Sequence, residues 1–124
     1  MVTDPATDAI LTLDNVVAGY GKMTILHGTS FSVARGTITT VIGPNGAGKS
    51  TVFKTVFGML PARAGRVLFD GAEITNLSPR DLIARGISYV PQGRNIFPEL
   101  SVRHNLELGA VMAPPGFDLA TRLD

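Results

Sequence analysis

Residues 43–51 combine the residue types that bind phosphate. They follow the pattern G-x-x-x-x-G-K-[ST] and are Gly43, Pro44, Asn45, Gly46, Ala47, Gly48, Lys49, Ser50 and Thr51. Glycines let several backbone N–H groups converge on one anion at close range. A helix beginning at Gly48 or Lys49 would direct the positive end of its dipole at the same anion. The segment therefore predicts a loop that binds the phosphates of a nucleotide.

Three side chains of this loop suit that chemistry. The Lys49 ammonium can reach β- and γ-phosphate oxygens, the Ser50 hydroxyl can bind Mg²⁺, and Thr51 can add a hydrogen bond to the α-phosphate. The alternative is an ordinary glycine-rich turn. The flanking sequence favours the phosphate loop, because a β-branched run at 37–42 precedes it and an amphipathic helical pattern at 49–60 follows it.

The elements around this loop predict an α/β domain with an antiparallel part near its N-terminus. The predicted elements are strands over 9–17, 24–26, 30–33 and 37–42, a helix over 49–60, a hairpin of 66–69 and 72–74, a helix over 79–85, a strand over 87–90 and a helix over 101–112. Asp70-Gly71 suits a type I′ hairpin turn, Ser78 is a predicted helix N-cap, and Ser101 is the predicted start of the last helix.

Composition excludes several classes of protein. The chain has 124 residues, 44% of them hydrophobic and 17% charged, so it can form a core and is not a charge-dominated disordered tail. A net charge of +1 argues against a nucleic-acid partner, and the absence of cysteine excludes a disulfide framework and a thiolate metal site. No run approaches the roughly 18 apolar residues of a membrane helix. We expect a soluble protein whose residues 1–8 are disordered.

The motifs resemble a known family. Residues 43–51 are similar to the Walker A loop of ATP-binding-cassette (ABC) proteins, more than to the loops of GTPases or nucleotide kinases. Residues 17–21 resemble the loop whose aromatic side chain stacks on adenine, 65–71 the family's hairpin, and 89–92 its Q-loop. The resemblance covers about residues 10–112. It implies a P-loop NTPase fold, the N-terminal part of an ABC nucleotide-binding domain over 9–124, with a helical subdomain beginning at about residue 93.

A longer stretch of the sequence resembles one group of proteins within this family. Residues 92–102 and 105–110 are similar to the ATP-binding subunits of branched-chain amino-acid importers, and to their relatives for urea and short amides. This implies ATP and Mg²⁺ as cofactors, a cytoplasmic location on the inner face of the cell membrane, transmembrane permease subunits as partners, and a second nucleotide-binding subunit. Membrane contact would then run only through those partners.

The resemblance also implies roles for single residues. Tyr20 would stack on adenine, Ser50 would bind Mg²⁺, and Gln92 would reach the Mg²⁺ or the attacking water. Lys49 and Gln92 are thus the candidate catalytic residues. The alternatives are an ordinary turn aromatic for Tyr20 and an exposed polar loop residue for Gln92. Asp70 follows an apolar run as a Walker B acid would, but Asp70-Gly71 favours a turn and no second acid follows.

The motifs that complete ATP hydrolysis in this family are not found in the sequence. They are a Leu-Ser-Gly-Gly-type signature, a Walker B strand ending in Asp-Glu, and a switch histidine. We therefore expect about half of a nucleotide-binding domain, with no appreciable ATPase activity and with unpaired sheet edges that limit stability. A truncated, non-catalytic nucleotide-binding module and a soluble P-loop kinase or GTPase are the remaining alternatives. The last would need a nucleotide-base motif or lid arginines.

Overall fold

The computed structural model describes residues 8–123, and its sheet is antiparallel throughout. The strands are β1 (Ala9–Tyr20), β2 (Met23–Ala34), β3 (Ala62–Phe69) and β4 (Ala72–Glu73), in the order β2-β1-β3-β4. The helices are α1 (Lys49–Val56), α2 (Pro79–Ala84), α3 (Val102–Gly109) and α4 (Leu119–Leu123). The disorder predicted for 1–8 lies outside the described residues except at residue 8. The helical subdomain predicted from about residue 93 stays a prediction; α3 and α4 lie in that segment.

Strand β2 is continuous, where the sequence predicts two short strands. The pairing with β1 moves from Val16–Thr29 to Val17–His27, so Gly28 is an extra residue in the ladder. Gly28 has a φ of 85°, a conformation that glycine adopts without steric cost. The glycine is therefore a β-bulge inside one strand, and the prediction of two separate strands over 24–26 and 30–33 is wrong.

The hairpin of β3 and β4 confirms the prediction of a turn at Asp70-Gly71. Both residues have positive φ, 50° and 78°, and Phe69 pairs with Ala72 across the turn. This is the backbone geometry of a type I′ turn. The Asp70 carboxylate accepts a hydrogen bond from Arg35, an exposed residue just after β2.

The core lies between the sheet, α1 and α2. Its buried apolar side chains are Leu13, Val16, Ala18, Leu26, Val52, Leu60, Val67, Ile74 and Leu82. Val52 attaches α1 to this core, and Leu82, which is fully buried, attaches α2. The start of α1, which carries the predicted phosphate loop, is thereby fixed against the sheet.

Residues 37–42 and 87–90 form no strands, so both of those strand predictions are wrong. Ile38, Ile42 and Val90 are 99%, 87% and 85% exposed. A strand needs a neighbour that accepts and donates its backbone hydrogen bonds, and within 8–123 neither segment is paired with one. The β-branched composition that suggested strands reflects packing in a sheet more than an intrinsic backbone preference.

Helices α1 and α2 begin at the predicted residues, α3 begins one residue later than predicted, and all three end earlier than predicted. Helix α1 ends at Val56 and not at residue 60, because Gly58 turns the chain with a φ of 69°. A Cβ on Gly58 would lie 2.1 Å from the carbonyl oxygen of Leu77. Helix α3 ends at Gly109 and not at 112. Of the helices found between residues 8 and 123, none is long and apolar enough to cross a membrane.

Candidate functional site

The start of α1 is a helix N-terminus without a side-chain cap. Its N-cap, Gly48, has a left-handed conformation with a φ of 96°, and the first turn contains no acidic residue. By contrast, α2 and α3 begin at Ser78 and Ser101, whose hydroxyls each accept a hydrogen bond from a backbone N–H at 3.2 Å. Because first-turn N–H groups have no partner within the helix, the start of α1 can bind an anion.

The glycines of the loop suit an anion-binding site. Gly46 has a φ of 83°, and no atom lies within 4 Å of the position that a Cβ would occupy, so conformation alone favours glycine there. At Gly48 space is also limited, because a Cβ would lie 3.0 Å from Leu26 Cδ2 and 3.2 Å from Ile25 Cγ2. The loop thus approaches β2 closely and leaves its other side open.

The Lys49 side chain folds back over the loop. Its Nζ donates hydrogen bonds to the carbonyl oxygens of Pro44, at 2.7 Å, and of Gly43. The Ala47 N–H donates to the same Pro44 oxygen at 3.2 Å and closes the turn. An ammonium has three donors, so one N–H of Lys49 remains for a bound phosphate oxygen.

A cleft of about 360 Å³ brings the predicted site residues together. This volume lies within the usual range for small-molecule sites. The lining residues are Tyr20, Ile25, Asn45, Gly46, Gly48, Lys49, Ser50, Thr51 and Gln92. Gly43, Pro44 and Ala47 do not line it; Gly43 and Pro44 contact Lys49 through their carbonyl oxygens. Tyr20 and Gln92, distant in sequence, therefore face the same cleft as the loop.

Tyr20 ends β1 and is 45% exposed. The Arg63 guanidinium, on β3, donates to the carbonyl oxygen of Gly21 at 2.6 Å and to Thr24 Oγ1 at 3.3 Å, so it fixes the turn that follows Tyr20. The Lys54 ammonium lies 5.7 Å from the centre of the Tyr20 ring. No residue pattern indicates either contact, since each joins elements that only the tertiary fold brings together.

The loop around Gln92 is braced by a side chain that sequence reasoning missed. Asn95 Nδ2 donates to the carbonyl oxygens of Pro91, at 2.7 Å, and Gly93, at 3.1 Å. Just before this loop, the Tyr89 ring packs on Phe57 with centroids 5.6 Å apart. The Asn95 hydrogen bonds hold the loop together, and the Tyr89–Phe57 contact connects the segment before it to the end of α1.

The donor atoms at the cleft suit a hard cation held partly by phosphate. Ser50 offers a hydroxyl and Gln92 an amide oxygen, and Mg²⁺ prefers oxygen ligands completed by phosphate and water. Among residues 8–123 there is no group of three or more His, Asp or Glu side chains that could hold a metal alone. The residues present therefore fit Mg²⁺ bound together with a nucleotide and do not form a separate metal centre.

Known proteins resemble this chain over most of its length. A family model described as ABC transporter matches residues 26–122. The probable branched-chain amino acid transport ATP-binding protein LivF of Archaeoglobus fulgidus is 42% identical over 93 residues, which are 75% of this chain and 39% of LivF. The high-affinity branched-chain amino acid transport ATP-binding protein BraG of Pseudomonas aeruginosa is 40% identical over 81% of this chain and 43% of BraG. The chain thus spans about two fifths of the length of these relatives.

A relative whose name gives a different transported substrate also matches. The lipopolysaccharide export system ATP-binding protein LptB of Escherichia coli K12 is 40% identical over 79% of this chain and 41% of its own length. Among solved structures, a nucleotide-free ATP-binding cassette from an ABC transporter has a TM-score of 0.77 and 38% identity, covering 93% of this chain and 45% of that one. A cassette in its ADP conformation has a TM-score of 0.79 and 38% identity, with 94% and 45% coverage. This chain belongs to the ABC transporter family and has the P-loop fold of its ATP-binding cassettes.

Proposed function

We propose that this chain is the ATP-binding part of an ABC importer subunit that energises the uptake of branched-chain amino acids. One observation carries the nucleotide assignment: the uncapped, acid-free start of α1 opens into a cleft that Tyr20 and Gln92 also line. The names of LivF and BraG support the choice of cargo. Importers of urea or short amides are the alternative within the family.

The loop residues bind the triphosphate in this proposal. The backbone N–H groups of Gly46, Gly48 and Lys49 surround its oxygens, and the remaining N–H of the Lys49 ammonium donates to a β- or γ-phosphate oxygen. Thr51, which is almost fully buried at the first turn of α1, adds a hydrogen bond to the α-phosphate.

The side chains proposed to bind the base and the metal lie outside the loop or at its end. The Tyr20 ring stacks on adenine. The Ser50 hydroxyl is a ligand for Mg²⁺, and Gln92 holds the Mg²⁺ or the water that attacks the γ-phosphate. When bound, the metal would neutralise part of the negative charge of the phosphates.

Hydrolysis needs a carboxylate that the described cleft lacks, since no Asp or Glu is among its lining residues. In the intact domain this group comes from the Walker B strand, together with a signature and a switch histidine. Two such domains enclose ATP between the Walker A loop of one and the signature of the other. They act on transmembrane permease subunits at the inner face of the membrane.

Uptake measurements test which substrate is transported. Cells from which the gene for this chain is deleted should lose most uptake of labelled leucine and keep uptake of labelled urea, and a plasmid copy should restore the leucine signal. A Lys49→Ala copy should not restore it, while a Lys22→Ala copy should. Loss of urea uptake with normal leucine uptake would favour the urea and amide alternative.

A non-catalytic nucleotide-binding module is the second candidate, and the acid-free cleft favours it. The reading frame after codon 124 discriminates the two. About 100 further codons with a signature, a Walker B pair and a switch histidine would support the importer subunit, and an immediate stop codon would support the binding module.

A further inference from the structure

We propose that Lys54 is a positioning residue for the adenine base. The Lys54 ammonium contacts the Tyr20 ring and keeps the ring in the orientation in which it stacks on the base. This inference rests on the proposed function of the cleft as an ATP site.

The geometry places the ammonium on the ring but outside the cleft. Lys54 Nζ lies 5.7 Å from the ring centre, within the range of about 6 Å in which a cation is attracted to an aromatic face. Tyr20 lines the cleft that a base would enter, whereas the Lys54 ammonium does not line it.

The Tyr20 side chain is only partly buried, so a further contact can restrict its ring. Tyr20 is the last residue of β1 and is 45% exposed. Arg63 fixes the backbone just beyond it through the carbonyl oxygen of Gly21. Arg63 thus holds the chain and Lys54 holds the ring, and a ring already held loses less conformational entropy when it stacks on a ligand.

Lys49 and Lys54 lie near opposite ends of α1, one at the phosphate loop and the other at the proposed base site. Lys49 begins this helix at the phosphate loop, and Lys54 lies in its last turn, about 7.5 Å further along the axis. In the part of the chain that the structure describes, Lys54 forms no ion pair with a carboxylate. Its charge is therefore available to the ring, and one short helix serves both the phosphates and the base.

A purely structural role makes a different prediction. A lysine in the last turn interacts favourably with the helix dipole, so its removal lowers stability whatever the ligand. A positioning role instead lowers affinity for ligands with a base and spares ligands without one. Tripolyphosphate, which has the phosphates and no base, separates the two roles.

The test is calorimetric titration of the 124-residue chain with Mg-ATP and with Mg-tripolyphosphate. Lys54→Met should weaken ATP binding about two- to fivefold, the factor of an exposed cation–π contact, and leave tripolyphosphate binding unchanged. Lys54→Arg should restore ATP binding, because a guanidinium makes the same contact. Lys22→Met is the matched control, since it removes the same charge from the neighbouring turn, and it should change neither affinity. Lys54→Gln is the second neutral variant if methionine causes aggregation.

Three results would overturn the inference alone. They are unchanged ATP affinity in both neutral variants, an equal loss for ATP and tripolyphosphate, and the same loss in Lys22→Met. In each case Lys49→Ala would still lose both ligands, which would leave the proposed nucleotide site standing. A wild-type chain that binds neither ligand would overturn the proposed site and this inference together.

Discussion

Replacing Lys49 by alanine should weaken the binding of Mg-ATP about 10- to 150-fold. Two of the three ammonium donors already bond to the carbonyl oxygens of Gly43 and Pro44, so one N–H is left for a phosphate oxygen. A single hydrogen bond to a charged group contributes about 1.5–3 kcal/mol, which corresponds to that range of affinity. Alanine removes this bond and keeps the backbone N–H groups of the loop.

The assay is isothermal titration of each variant with Mg-ATP at fixed ionic strength, because salt screens the contribution of an exposed ammonium. Lys22→Ala is the control, since it removes one positive charge from the turn after Tyr20 and none from the loop. Far-UV circular dichroism should show that both variants keep the wild-type secondary structure. Equal affinity of Lys49→Ala and wild type, or an equal loss in Lys22→Ala, would refute the reasoning.

Three further predictions concern activity and stability. The 124-residue chain and its Lys49→Ala variant should release phosphate from ATP at the same background rate, because no Asp or Glu lines the described cleft; turnover by the unsubstituted chain that Lys49→Ala abolishes would contradict this. Leu13→Ala should lower the free energy of unfolding in urea by about 2–5 kcal/mol because Leu13 is 1% exposed, whereas Ile42→Ala, at 87% exposure, should change it by less than about 0.5 kcal/mol. Gly58→Ala should lower the free energy of unfolding in urea by more than about 1 kcal/mol, since the φ of Gly58 is 69° and a Cβ would lie 2.1 Å from the Leu77 carbonyl oxygen; wild-type stability would contradict the described turn.

Features settled by a few neighbouring residues could be predicted from the sequence. The hairpin turn at Asp70-Gly71 needs two positive φ angles, which these residue types tolerate. The cap at Ser78 needs one hydrogen bond from a backbone N–H three residues away. In each case the deciding interaction lies within four residues of the signal.

Features that depend on distant partners could not be predicted in the same way. Residues 37–42 have the composition of a strand, but no neighbouring strand within 8–123 pairs with them. Ile38 and Ile42 are left exposed. The contacts of Lys54 with Tyr20 and of Arg63 with Gly21 depend on how α1 and β3 pack beside the end of β1. Neither spacing nor composition encodes that packing.

The most direct test of the central claim is an NMR titration of the ¹⁵N-labelled chain with a non-hydrolysable Mg-ATP analogue. We expect saturable shifts of the amide signals of Gly46, Gly48, Lys49 and Ser50, together with shifts of the Tyr20 ring protons. Unchanged loop amides, or shifts confined to residues far from this cleft, would contradict the claim.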